Sequence, residues 1–457
     1  MPTINTAELS NIPEPRFIVQ SRAQIRQNNS DKKVIVLDDD PTGCQTVHNI
    51  HVLMQWDLKT LKNAIENYGS FYLLHNSRSL TGEEALKLNE EICKSLLTIL
   101  PKEKLVIVSR SDSTLRGHFL PELTALQKTT GPYDGILIIP YFKEGGRLTL
   151  HDEHYVVIDD KLIPASETEF AKDPIFGYTT SNLPKWIEEK TEGTTQAEEV
   201  ISITIEDIRL GGIDRVMQKL SPCSTGQFIV VNALQDEDLD IVILALQQLE
   251  KNGKRFLHRS AASFVKVLLG LEDQPLWLPD KIGKRGVIIA GSHVNRTSIQ
   301  LKSLLDTHKI YEQELSIRSI LNSSTYFEEC LQKLTHALQE EQTVLIYTER
   351  EYELEGSDDN RLKAGRKISD FLSNLINGIE IAPDFIIAKG GITANDVAKY
   401  GLEIVDARVL GQIQPGIPVW QPGPESKFPN CTYVVFPGNV GEDDTLTKVY
   451  EIMTRNR

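Results

Sequence analysis

The chain has 457 residues, a formal net charge of −15 and 25% charged residues. Single hydrophobic cores stop growing at roughly 250–300 residues, so this length predicts two domains. The acidic balance, with no basic run to offset it, argues against nucleic acid or an anionic membrane surface as a partner, and no uncharged apolar run is long enough for a membrane span.

The first residues, MPTINTAELSNIPEPRF, lack a basic start followed by an apolar block, so a cytoplasmic protein is expected. Cys44, Cys93, Cys223, Cys330 and Cys431 are widely spaced and form no CxxC pair, which fits reduced thiols and no structural zinc.

Strand-like apolar runs then alternate with helical patterns along the chain, which predicts α/β architecture with mostly parallel sheets flanked by helices. In the first half the runs fall at 33–37, 71–75, 105–109, 135–139 and 228–232, with a shorter candidate at 255–257. Amphipathic stretches at 82–100 and 238–249 read as helices. Residues 167–199 are polar with scattered Gly, Pro and Thr, and read as a surface excursion. The stretch 271–285, rich in Pro and charge, reads as a linker, giving a first domain of 1–270 and a second of 286–457. Strands of the second domain are expected at 286–290, 343–347, 384–388 and 433–436.

Polar residues crowd the ends of the early strands. The first runs into Asp38-Asp39-Asp40-Pro41-Thr42-Gly43, the second into Asn76-Ser77-Arg78, and the third into Arg110-Ser111-Asp112-Ser113-Thr114-Leu115-Arg116-Gly117-His118. Adjacent carboxylates repel unless donors or a cation neutralise them. Asp39, Asp40 or Asp112 could accept a proton from a hydroxyl or hold Mg²⁺ through oxygen, or the run could be an acidic helix cap. Arg78, Arg110 and Arg116 offer planar forks for a carboxylate or phosphate.

In the second half a strand, a Gly-containing turn and a helix recur three times: VIIAGSHVNRTSIQL, FIIAKGGITANDVAKYG and YVVFPGNVGEDDTLTKVYEIM. Glycine admits close backbone approach and the helix start offers free N–H groups, so each turn can hold a phosphate. In parallel sheets such turns gather at the carboxyl ends of the strands. No GxxxxGK[ST] or GxGxxG motif is present, which counts against a P-loop and against a nicotinamide-dependent oxidoreductase. His48 and His51, three apart in a strand or its entry, make a poor metal pair. The run His151-Asp152-Glu153-His154 lacks a third ligand at a recognised spacing and reads as a solvated loop.

Taken together, DDPTG (39–43), Ser77-Arg78, DSTLRGH (112–118), Gly146-Arg147 followed by His154-Tyr155-Val156, and later AGSHVNRTSIQ, KGGIT and PGNVG resemble the four-carbon acid sugar kinase family. The resemblance runs from Val34 to the final helix. It implies ATP-dependent phosphorylation, at the 4-hydroxyl, of a C4 acid sugar such as threonate, erythronate or 3-oxo-tetronate, with Mg²⁺, in a cleft between two domains. It implies substrate contacts at Ser77, Arg78, Arg110, Asp112, Ser113, Arg116 and Gly117, with Asp39, Asp40 or Asp112 orienting the hydroxyl. It implies nucleotide contacts at Ser292, Gly390, Gly391, Ile392, Thr393 and Gly438. Two departures, DDDPTG for the commoner ADDLTG and PGNVG for a Ser-Gly-x-Phe-Gly type, bear on the substrate more than on the reaction. A two-fold homodimer is the default oligomer.

Overall fold

The computed structural model describes residues 3–19, 22–291, 295–349 and 358–455, without the side chains of 358–362. Two compact units emerge: Met1–Val47 with Gln55–Asp273, and His48–Met54 with Gln274–Arg457. The second unit thus borrows a short segment, 48–54, from the first half of the chain. Periodicity could not assign it, because a four-residue strand carries no record of which sheet it joins.

In the first unit a wholly parallel sheet runs in the order Ile201–Ile203, Gln227–Val231, Gly135–Ile139, Phe256–Ser260, Leu105–Arg110, Lys33–Asp38, Ser70–Leu74. Its central strands, LVIVSR, GILII and FLHRS, are buried along their whole length, as a sheet covered on both faces requires. Register matters more than length here. Asp38 pairs with Arg110, and Arg110 with Ser260, so neighbouring strands end level and their next residues leave from one edge.

A separate four-stranded antiparallel sheet joins Ile4–Asn5, Lys161–Pro164, Glu153–Ile158 and Arg147–Leu150. The run 151–154 is therefore a hairpin turn, with His151 at φ 53° and Asp152 at φ 64°, followed by a strand. The expected solvated loop is corrected: His154 is fully buried, bonded to Thr149 Oγ1 at 2.9 Å and to the Ser113 carbonyl at 2.7 Å. Residues 167–199 are likewise no excursion. The helix Leu183–Lys190 buries Leu183, Trp186 and Ile187, and Trp186 meets Phe119 edge-on at 4.6 Å.

The second unit's sheet runs Ile50–Leu53, Asp406–Gln414, Ile417–Pro422, Thr432–Phe436, Phe385–Lys389, Gly286–Ala290, Val344–Thr348, Tyr311–Leu315. The first four are joined antiparallel and the rest are parallel. The antiparallel hairpin 406–422 escaped the sequence reading, which looked for strands alternating with helices. Ile288, Phe385, Ile387, Val434 and Phe436 form the heart of this unit's core. Among the described residues no helix is long and apolar enough to cross a membrane.

Candidate functional site

The acidic run after strand Lys33–Asp38 survives burial because guanidiniums from two neighbouring strands enclose it. Arg78 grips Asp39 with two donors, Nη2 to Oδ1 at 2.6 Å and Nε to Oδ2 at 3.2 Å, and reaches Asp40 Oδ2 at 3.4 Å. Its Nη1 also lies 3.9 Å from Asp112 Oδ1. Arg110 lies beneath, donating to Asp38 Oδ1 at 3.1 Å. Such planar two-point contacts are the strong form of the ion pair.

These partners set the charge states. Burial alone would raise Asp40, yet Arg78, Arg110 and the Thr42 hydrogen bonds hold its carboxyl below the ordinary carboxylate range. Asp112 is similar: against burial, Arg116 and Arg78 hold it far below that range. Asp38 behaves oppositely. Burial outweighs Arg110, and with Asp39 and Asp40 nearby the carboxyl is pushed up to about 7.

A raised carboxyl stabilises the fold while protonated and loses that contribution as pH rises. The unfolding free energy of the wild type relative to an Asp38→Asn variant should therefore fall between the ordinary 3.8 and about 7, then level off. Urea unfolding across that range measures it. Parallel pH curves for the two proteins would show that Asp38 does not titrate there.

The DSTLRG loop owes its shape to several staples. The Thr114 hydroxyl donates to Asp112 Oδ2, Arg116 Nε donates to the same oxygen at 2.7 Å, and His154 holds the Ser113 carbonyl. Leu115 is thereby kept at φ 68°, a region bulky residues seldom occupy. Gly117, at φ 113°, has no room for a side chain: a Cβ there would lie 2.9 Å from Ser111 Oγ and 3.0 Å from Asp39 Oδ2.

Beside this loop opens a small cavity, partly open to solvent. It is lined by the polar residues Ser111, Asp112, Arg116, Arg259 and Ser260 and by Leu115, Ile138, Pro140 and Trp186. Of the residues selected from sequence, Asp112 and Arg116 line it. Asp39, expected to orient the hydroxyl, and Ser77, an expected substrate contact, are completely buried, and Arg110, another expected contact, is 4% exposed; their side chains hold neighbouring residues. Ser77, for example, donates to Glu122 Oε1 at 2.5 Å.

Arg259, Glu122, Ser111 and Arg147 went unselected. A charged residue near the end of the short run at 255–257 was the available signal for Arg259. Arg147 was noticed only as part of a motif. Its Nε has no hydrogen-bond partner among the described residues, and its guanidinium lies 5.6 Å from the Phe170 ring centre, while that of Arg116 lies 5.1 Å from it.

In the second unit the three glycine turns do converge, on adjacent parallel strands. Gly390, at φ 109°, donates its N–H to the Phe436 carbonyl at 2.8 Å and starts the helix Gly391–Asp396. A Cβ on Gly291 would come within 2.7 Å of Thr393 Oγ1, so these two turns touch. From the helix Asn295–Thr307, Thr297 reaches the Gly438 carbonyl at 3.3 Å and Gln300 reaches that of Glu442 at 2.7 Å. Lys389, fully buried, braces the Pro437 carbonyl at 3.1 Å. Ile392 stands out at 64% exposure. Ser292 lies outside the described residues.

Fold and geometry together define a two-part α/β protein with a polar cavity beside the DSTLRG loop of its first unit and glycine turns gathered on adjacent strands of its second. Residues 34–268 match the family model of a sugar-binding N-terminal domain, and 287–446 that of a nucleotide-binding C-terminal domain. The chain belongs to the four-carbon acid sugar kinase family. It is 27% identical over 148 residues to a D-erythronate kinase of Heliobacterium modesticaldum, a match spanning 31% of this chain and 32% of that protein. In fold it is similar to a Haemophilus influenzae protein of a domain family of unknown function, with TM-score 0.62, 18% identity and coverage of 91% of this chain and 98% of that one. A Salmonella typhimurium LT2 protein, solved as a suspected tRNA synthase, is similar with TM-score 0.66 and 18% identity over 92% of this chain and all of that one.

Proposed function

We propose that this protein transfers the terminal phosphoryl group of ATP to a hydroxyl, the 4-OH, of a four-carbon acid sugar such as erythronate, threonate or 3-oxo-tetronate. The observation that carries the reading is the cavity of the first unit, a small space lined by both carboxylate and guanidinium groups. A short polyol acid needs both kinds of group: acceptors for its hydroxyls and donors for its carboxylate. The matched sugar-binding and nucleotide-binding domains and the erythronate kinase relative support it.

Phosphoryl transfer asks little covalent help of a protein, so positioning and charge neutralisation dominate. Asp40, partly exposed and kept ionised, accepts a hydrogen bond from the attacking hydroxyl and orients it. Asp112 and Arg116 bind the remaining hydroxyls at the cavity wall. Asp39, Arg78 and Arg110 hold Asp40 in place. In the second unit the backbone N–H groups of Gly391 and Thr393, in the turn that Gly390 shapes and with Gly438 beside it, receive phosphate oxygens, and exposed Ile392 offers an apolar surface to the base.

A dedicated Mg²⁺ cage does not fit the first unit. Asp39, Asp40 and Asp112 are already matched by guanidiniums, and among the described residues no group of three or more His, Cys, Asp or Glu is arranged to hold a metal. Mg²⁺ commonly keeps several waters and leans on substrate phosphates, and that is how it would enter here.

Coupled ADP release with stereoisomers of threonate, erythronate and 3-oxo-tetronate tests the reading. One of these acids should give saturable, ATP-dependent turnover. Acid binding without any ADP release would leave a sensor in place of an enzyme.

A further inference from the structure

We propose that Arg259 is the anchor for the substrate's carboxylate, and that Glu122 is the positioning residue that aims it; this rests on the acid-sugar reading above. Arg259 sits near the carboxyl end of strand Phe256–Ser260, is 6% exposed and lines the cavity. Its Nη1 donates to Glu122 Oε2 at 2.6 Å and to Ser109 Oγ at 2.9 Å, and its Nη2 donates to Ser111 Oγ at 2.8 Å. A guanidinium has five N–H donors. The Nε–H and the second Nη2 hydrogen of Arg259 have no acceptor among the described residues. Nε and Nη2 form the edge that a carboxylate meets side-on.

Two other arginines nearby have their side-on edges engaged, Arg78 through Nε and Nη2 to Asp39 and Arg116 through Nε to Asp112. Arg78 spends its nitrogens on Asp39 and Asp40, and Arg110 lies under Asp38. Arg116 gives Nε to Asp112 and Thr114, and its Nη1 faces Asp173 at 3.8 Å. Arg259 combines a place in the cavity lining with a spare side-on edge, Nε and Nη2, whereas Arg116, which also lines the cavity, has given its Nε to Asp112. Ile138, Pro140 and Trp186 also line the cavity, and apolar surroundings strengthen a charge-assisted contact.

Glu122 explains why this guanidinium can wait in position without a ligand. It is 1% exposed, and its two oxygens accept from Ser77 at 2.5 Å and Arg259 at 2.6 Å, with Ser109 at 3.3 Å. Both ends of the carboxylate are therefore fixed, and the Arg259 fork cannot rotate away.

The test compares full-length wild type, Arg259→Lys and Glu122→Gln. Calorimetry measures binding of erythronate, threonate and 3-oxo-tetronate, of the neutral polyols erythritol and threitol, and of ATP. Arg259→Lys keeps a charge for Glu122 but loses the fork. It should weaken the best acid by about 10- to 100-fold, on the scale of hydrogen bonds to a charged group, while ATP and the polyols change little. Glu122→Gln should move the same acid in the same direction, raising KM more than it lowers kcat. Equal weakening of acid and polyol would show a merely structural role and overturn the proposal, as would unchanged acid affinity. A wild type that binds the acid yet releases no ADP would defeat the kinase reading alone, since the ratio of acid to polyol affinity still decides on Arg259. A wild type that binds none of these acids would overturn both.

Discussion

Asp40→Asn should lower kcat by about 10²- to 10³-fold, within the range for loss of a positioned acid–base group, and leave ATP affinity unchanged. The substitution is nearly isosteric. Asp40 Oδ1 accepts from the Thr42 N–H at 2.9 Å and the Thr42 hydroxyl at 2.5 Å, contacts that an amide oxygen can keep. What disappears is the negative charge facing the hydroxyl. A carboxylate held below its ordinary range is a weak base, so its role is to align the hydroxyl and to take the proton late, which a loose transition state permits. Steady-state kinetics with calorimetric ATP binding read both effects. Turnover within a factor of about ten of wild type would pass the role to Asp112 or to a phosphate oxygen.

Arg78→Ala should be the most damaging single change to the first unit's fold. Asp39 is completely buried and depends on the Arg78 fork, and Asp40 and Asp112 share the same guanidinium. Removing one partner of a buried ion pair typically costs about 3–5 kcal/mol, because a charge is left without compensation. The loss should depend on pH. An unpaired buried carboxylate has its pKa raised, so the variant is least stable at neutral pH and recovers as protons arrive. In the wild type, Asp40 and Asp112 are depressed, and their contribution fades only below the ordinary carboxylate range. The gap between the two proteins should thus narrow towards pH 4. Chemical unfolding at several pH values measures it, and a gap that stays constant or widens in acid would show that Arg78 does not neutralise this cluster.

The same network bears on why the proposed carboxylate anchor, Arg259, does not stand out in the chain. In the chain, Arg78, Arg110 and Arg116 stand out because each follows a strand and sits beside acids. In the fold that proximity commits them: the acids are their partners, and little of Arg78 or Arg110 is left for a ligand. Arg259 lies 137 residues from Glu122, and nothing local marks the pair.

The amino-acid sequence by itself determined the alternation of strand and helix, the division into two halves and the level at which the functional residues lie. It could do so because burial on both sheet faces demands continuous apolar runs, and in a parallel sheet every strand delivers its next residues to one edge. The motifs at 38–43, 77–78, 110–118 and 390–393 follow directly. Only the tertiary structure decided which strands are neighbours and in what register. That choice set Asp38 against Arg110, placed His154 beneath the Ser113 carbonyl, sent residues 50–53 to the second unit's sheet and brought Glu122 to Arg259. Such pairings join residues far apart in the chain, where no periodicity reaches, and they depend on strand order and packing that local preference does not encode.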